Sequence, residues 1–186
     1  LVAGSNLEKV DEQVPPEVIE NCNGVFCSMA NQFWRGRGLV YENEWLPAPD
    51  LLASLTDIQE LSSYTNKKED WIEMRVGMIN FTTAGRSSTR QERESYHKWD
   101  KKNRERESIV EQLSEKFPDL DFRIGGQISI DIQPKGCNKS QASKWVREDY
   151  GGTIVYFGDN CEVGGNDYDI CFDVIKLGFE MKYCKT

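Results

Sequence analysis

Between positions 153 and 157 the chain reads Thr-Ile-Val-Tyr-Phe, and Gly158 and Asp159 follow at once. An unbroken apolar run of this kind predicts a strand buried on both faces, as in a parallel sheet. Strands of that sort carry polar residues at their C-terminal tips, where α/β folds bind ligands. Leu1 to Ser5 is a second apolar run ending in a small turn, and Leu7 to Gln13 opens a helix behind it. Val25-Phe26-Cys27 is a third short strand, and Thr153–Phe157 closes the pattern. Both ends of the chain therefore read as strand–loop–helix units of one parallel sheet.

The middle, roughly 48 to 134, follows a different rule. A hairpin is expected from Leu39–Tyr41 and Trp45-Leu46, after which Pro47 and Pro49 mark a break. Asp50 is placed to cap a helix over 51–64, whose Leu51, Leu52, Leu55, Ile58 and Leu61 recur at helical spacing. Trp71–Phe81 reads as a strand, Thr89–Lys116 as one long helix, and Phe122–Ile124 and Gln127–Ile132 as strands around Gly125-Gly126. Asn138 is placed to cap a further helix through Arg147. A domain inserted within another is the simplest account.

Composition bounds the function. Hydrophobic residues make up 38% and charged residues 29% of the 186, an ordinary globular balance. A net charge of −8 argues against general affinity for nucleic acid. The basic run from Arg86 to Arg106 is interleaved with acids and reads as a solvated helix, its first arginines reserved for another purpose. No apolar run is long enough to cross a bilayer, and no basic-then-apolar leader opens the chain, so a cytoplasmic location is expected. Because Leu1 stands where Met would, a further segment upstream is expected. Six cysteines without a Cys-x-x-Cys pair, and a lone His97, argue against zinc and for reduced thiols.

Three segments can carry chemistry. In Gly158 to Asp167 a strand delivers Asp159 to its tip, glycines turn the backbone, and Asp167 returns to the same place, with Asp169 and Asp173 close behind. Mg²⁺ requires such carboxylate oxygens, although the same composition also makes a polar turn. Arg75, Arg86 and Arg93 fall within 19 positions. Guanidinium forks match phosphate oxygens, and three that converge need an anion between them. The competing reading is three surface arginines paired with Glu73, Glu92 and Glu94. Ser129 and Asp131 share one strand face, opposite Ile128, Ile130 and Ile132. That polar face suits sugar hydroxyls, or is simply the wet side of a half-buried sheet. Ser5 and Lys139, each beside a strand end or helix start, complete the set.

In order and spacing these segments resemble the eukaryotic phosphomannomutases of the haloacid-dehalogenase-like superfamily. The resemblance runs from Ser5 to about Gly178. It rests on Arg75-x-Gly77-Met78-x-Asn80, Gly85-Arg86-Ser87, Arg93, Gly125-Gly-Gln-Ile-Ser-Ile-Asp131 and Gly158-Asp159 to Gly164-Gly-Asn-Asp167. It implies an α/β fold: a Rossmann-like core, residues 1–47 and 135–186, with an inserted α/β cap, residues 48–134. It further implies that Arg75, Arg86, Arg93, Ser129 and Asp131 hold the distal phosphate and hydroxyls of a phosphorylated hexose. Ser5 and Lys139 would contact the phosphoryl group in transit, and Asp159, Asp167 and Asp173 would be cation ligands. The implied reaction interconverts mannose 6-phosphate and mannose 1-phosphate through an aspartyl-phosphate. Mg²⁺ and an activating hexose 1,6-bisphosphate are required, in a homodimer paired through the cap.

The sequence also departs from the family pattern. The Asp-x-Asp strand that should carry the nucleophile is expected before Leu1; the nearest alternative, Asp119-Leu120-Asp121, lies in the cap segment. Cys27-Ser28-Met29-Ala30-Asn31 replaces the usual Glu-Asn-Gly turn, Asn138 replaces an aspartate, and Cys171 and Lys176 enter the second cation site. Two other functions therefore compete with the mutase: a sugar-phosphate phosphatase, and a sugar-phosphate-binding or scaffolding protein without turnover.

Overall fold

The computed structural model describes residues 1–152, 154–158, 161–162, 167–176 and 180–183, with only the backbone described for 174–176 and 180–183. The chain forms two compact units, Leu1–Glu44 with Gly136–Thr186 (unit 1) and Trp45–Lys135 (unit 2). In chain order, unit 1 opens with α1 (Leu7–Gln13), α2 (Pro16–Glu20), β1 (Val25–Cys27), β2 (Gln32–Arg35) and β3 (Gly38–Glu42). Unit 2 holds α3 (Pro49–Leu61), β4 (Ile72–Arg75), β5 (Met78–Phe81), α4 (Arg90–Asn103), α5 (Glu105–Lys116), β6 (Leu120–Gly125) and β7 (Ser129–Pro134). Unit 1 resumes with α6 (Gln141–Tyr150), β8 (Val155–Gly158), α7 (Tyr168–Lys176) and β9 (Glu180–Tyr183).

Unit 2 is a four-stranded antiparallel sheet in the order β4-β5-β7-β6. Its core explains the alternation in the strands. Ile79 and Phe81 of β5 and Ile130 and Ile132 of β7 are all at most 1% exposed. They pack with Leu51 and Leu55 of α3 and Ile109 and Leu113 of α5. Each fully buried side chain of this size contributes about 1.5–3 kcal/mol. Leu51 and Leu55 are thus core residues of unit 2. The exposed large apolar side chains of unit 2 are Leu46, Leu61, Met74 and Ile124, the first two the most open. A second cluster joins Tyr64, Ala84, Tyr96 and Ile128, with Trp99 against it.

Several local expectations change. The long helix expected over 89–116 is two helices, broken where Arg104 adopts φ 55°. Asp100 holds the break, its Oδ1 accepting from the amide of Arg106. The expected strand 71–81 is a hairpin, turned at Gly77. Ala48, not Asp50, caps α3, and Asp50 sits in the first turn with its carboxylate on the amide of Leu51. No strand forms over 45–46, because β3 pairs with β2. Ser140 occupies the N-cap position of α6 without a side-chain bond, and Asn138 Oδ1 accepts from the amide of Ser140 at 2.9 Å just ahead of the helix.

Unit 1 mixes senses. β1, β2 and β3 form an antiparallel sheet, while Val2 bridges Phe26 in parallel and β8 pairs β9 in parallel. The run expected to be buried on both faces is open: Val155 is 40% and Phe157 63% exposed. Val155 and Phe157 share one face of β8, whereas Tyr156, on the other, and Ile154 just before the strand pack against the core of the unit. Phe26, Ala30, Phe33, Ala142 and Ile170 make the core between sheet and helices. The turn at 27–31 winds through three consecutive left-handed residues, Ser28, Met29 and Ala30. Cys161 and Cys171 are joined as a disulfide, with Cα atoms 6.0 Å apart, against the expectation of reduced thiols throughout.

Candidate functional site

Strand periodicity builds the polar face of unit 2. With Ile79, Phe81, Ile130 and Ile132 turned to the core, the intervening residues face the other way. Register then sets them in a row: Glu73 opposite Asn80, and Asn80 opposite Asp131. Arg75 and Ser129 extend the same face by two residues along β4 and β7.

Arg86 reaches this face from the loop that follows β5. Gly85 adopts φ +88°, and a Cβ there would stand 2.3 Å from Cβ of Lys68, so only glycine fits the turn. Asp70 anchors the loop by accepting from the amide of Ser87 at 2.6 Å. The Arg86 guanidinium then lies 2.7 Å from Glu73, donates to Asn80 Oδ1 at 2.6 Å and reaches Ser129 Oγ at 3.4 Å. Arg75 donates to the same glutamate through Nε at 3.0 Å and Nη2 at 2.9 Å. Asn80 closes the network by donating to Asp131 Oδ1 at 2.6 Å. Arg93 behaves differently, giving Nε to the carbonyl of Ser88 and Nη2 to that of Arg86. It fastens the loop that carries Arg86.

The charges respond accordingly. Arg75, and then Arg86, hold Glu73 below the usual carboxylate range despite its partial burial. Burial pushes Asp131 up, and the hydrogen bond from Asn80 and the charges of Arg75 and Arg86 offset part of that. Burial lowers Arg86, with the charges of Arg75 and Arg93 adding to it and Glu73 opposing.

Unit 1 carries a separate buried pair. Lys139 and Asp167 meet at 2.6 Å with side chains 8% and 3% exposed. The hydroxyl of Tyr156 donates to the same Oδ1 at 2.8 Å. Gly158 leaves room for this arrangement, since a Cβ there would come within 2.7 Å of the Tyr156 ring and 3.1 Å of Asp167 Oδ2. Ser5 is half-buried before α1, and its carbonyl accepts from the amide of Ser28. Asp173 is half-buried on α7. It lies six residues beyond Asp167, which precedes the helix. Asp159 lies outside the described residues. Among those described, no three His, Cys, Asp or Glu side chains cluster as a metal site.

The family model for eukaryotic phosphomannomutase matches residues 1–185. The phosphomannomutase of Galdieria sulphuraria is 34% identical over 194 residues, spanning 96% of this chain and 73% of that protein. This chain belongs to the eukaryotic phosphomannomutase family. Solved structures agree on the fold. It resembles the C-terminal domain of Candida albicans trehalose-6-phosphate phosphatase with TM-score 0.62 at 12% identity, covering 95% of this chain and 59% of that one. A haloacid dehalogenase-like hydrolase from Bacteroides thetaiotaomicron gives TM-score 0.57 at 12% identity, with 98% and 80% covered.

Within this family member, sequence reasoning passed over four residues that the geometry brings forward. Glu73 was paired with an arginine but given no place in the site, and Asn80 was quoted only as part of a motif. Strand alternation assigns each to the polar face of its own strand, and register sets them in a row with Asp131. Tyr156 sat inside an apolar run and so read as core. Arg106 was counted in a solvated helix; it is 4% exposed and donates to Asp100 at 2.8 Å. Its Nη1 reaches the carbonyls of Gly125, Gly126 and Ser129 at 3.3–3.4 Å, which fixes the turn that presents Ser129.

Proposed function

We propose that this protein interconverts mannose 6-phosphate and mannose 1-phosphate by phosphoryl transfer, the reaction named by its family. The observation that carries the reading is the meeting of Arg75 and Arg86 on the sheet face that also presents Asn80, Ser129 and Asp131. Two guanidinium groups recognise a phosphate dianion through charge-assisted bonds of about 1.5–3 kcal/mol each. Asn80, Ser129 and Asp131 add the donors and acceptors that sugar hydroxyls require. Arg93 acts through the loop it holds.

In unit 1, Lys139 supplies a buried positive charge to neutralise a phosphoryl oxygen, and Ser5 an additional hydroxyl donor. Mg²⁺ fits the donor chemistry: Asp167 offers hard carboxylate oxygen, and Asp159 would be its second ligand. Bound there, the ion would supply charge neutralisation to the transferring group. Tyr156 and Lys139 orient the Asp167 carboxylate meanwhile. Asp173, Cys171 and Lys176 belong to a second position where the family pattern is altered. The aspartyl nucleophile of the family mechanism is not assigned to a residue of this sequence. Asp119 is exposed and Asp121 is the second residue of β6 in unit 2, so neither follows a core strand.

We further infer a cytoplasmic homodimer, in which pairing through unit 2 would use Leu46 and Leu61. A coupled assay with mannose 1-phosphate and a hexose 1,6-bisphosphate activator, with and without Mg²⁺, tests the activity. Mg²⁺-dependent appearance of mannose 6-phosphate is expected. Phosphate release without isomerisation would show a phosphatase instead, and binding with neither product would show a binder.

A further inference from the structure

Glu73 occupies the place where an anion would be most strongly held. Its two oxygens take both Nε and Nη2 of Arg75, at 3.0 and 2.9 Å, and Nη2 of Arg86 at 2.7 Å. Two-toothed recognition of a phosphate by Arg75 needs that same edge of the guanidinium. The carboxylate is partly open, 37% exposed, so it can turn away into water when displaced. Arg75 and Arg86, by contrast, are tied to the sheet and its loop, and their charges remain when Glu73 leaves.

We propose that Glu73 is an internal stand-in for the phosphate, a carboxylate that keeps the two arginines together until a phosphate binds. A phosphate must then displace it, so it sets the affinity and release rate for phosphorylated sugars. The inference rests on the phosphate-binding reading of this face. It gives Glu73 a role opposite to simple scaffolding. A scaffold residue, when removed, loosens binding; a competitor, when removed, tightens it. Repulsion between the freed arginines, which Asp131 only partly offsets, adds to the same effect, because the incoming dianion neutralises both.

Titration calorimetry with inorganic phosphate on the whole chain tests this, comparing wild type, Glu73→Gln, Glu73→Ser and Arg86→Ala. Both Glu73 variants are expected to bind phosphate about tenfold more tightly, since one charge-assisted bond no longer has to be broken. A gain in affinity cannot come from misfolding. Equal or weaker binding in both Glu73 variants, with binding lost in Arg86→Ala, would overturn the stand-in role and leave the phosphate site intact. Phosphate binding that none of the three substitutions alters would overturn both.

Discussion

Replacing Arg106 by Met should destabilise unit 2 far more than a surface arginine would. The substitution leaves the Asp100 carboxylate, 7% exposed, with the amide of Arg106 and no countercharge. Breaking a buried ion pair from one side costs about 3–5 kcal/mol. For a unit of this size each kcal/mol lowers Tm by roughly 4–8 °C, so a fall of at least ~12 °C is expected. The loss should reach the site as well, since the carbonyls of Gly125, Gly126 and Ser129 lose their shared donor. Exchanging both partners, Asp100→Leu with Arg106→Met, removes the stranded charge and should recover at least half of the stability. Urea denaturation followed by far-ultraviolet circular dichroism measures all three proteins. A single variant destabilised by less than ~1 kcal/mol, or a double variant no more stable than the single, would refute the reasoning.

Three further outcomes follow from the same geometry. Tyr156→Phe keeps the ring but removes the donor on Asp167, and should weaken Mg²⁺ binding about tenfold by calorimetry, as loss of a ligand-orienting hydrogen bond does; unchanged affinity would leave Tyr156 a packing residue. Burial, with the charge of Asp11 adding, pushes the Cys27 thiol up to about 11. Alkylation of the native protein at pH 8 should therefore be ~100-fold slower at Cys27 than in urea. Because that pKa lies above its unfolded value, the associated stability is complete below pH ~9 and is lost as pH rises towards 11. Glu92 is held down, to about 2, first by Lys68 and then by the Thr89 cap. Its contribution is present above its ordinary 4.5 and is lost as pH falls through about 2. The stability difference between wild type and Glu92→Gln should thus vanish near pH 2, and a difference that persists there would contradict the assignment.

The α/β class and the polar face of unit 2 were legible because strand periodicity is a short-range property. Once Ile130 and Ile132 are assigned to the core, Ser129 and Asp131 must share the opposite face. What could not be read was pairing across strands. Glu73 meets Asn80 through the register of one hairpin, and Asn80 meets Asp131 through register between strands 51 residues apart. The break at Arg104 was hidden because a buried carboxylate, not a glycine or proline, imposes it. The exposure of Val155 and Phe157 was equally unreadable, since an apolar strand does not state which of its faces is covered. Arg93 shows a further limit. Its spacing placed it near Arg75 and Arg86, but spacing does not say whether a guanidinium faces a ligand or its own loop.

The measurement closest to the central claim compares mannose 6-phosphate with unphosphorylated mannose as ligands for the chain, by titration calorimetry at neutral pH. The phosphorylated sugar should bind at least tenfold more tightly, and Arg86→Met should abolish that preference by removing a charge-assisted contact worth about 1.5–3 kcal/mol. Equal affinity for the two sugars, or a preference that survives in Arg86→Met, would mean that this face of unit 2 does not hold the phosphate.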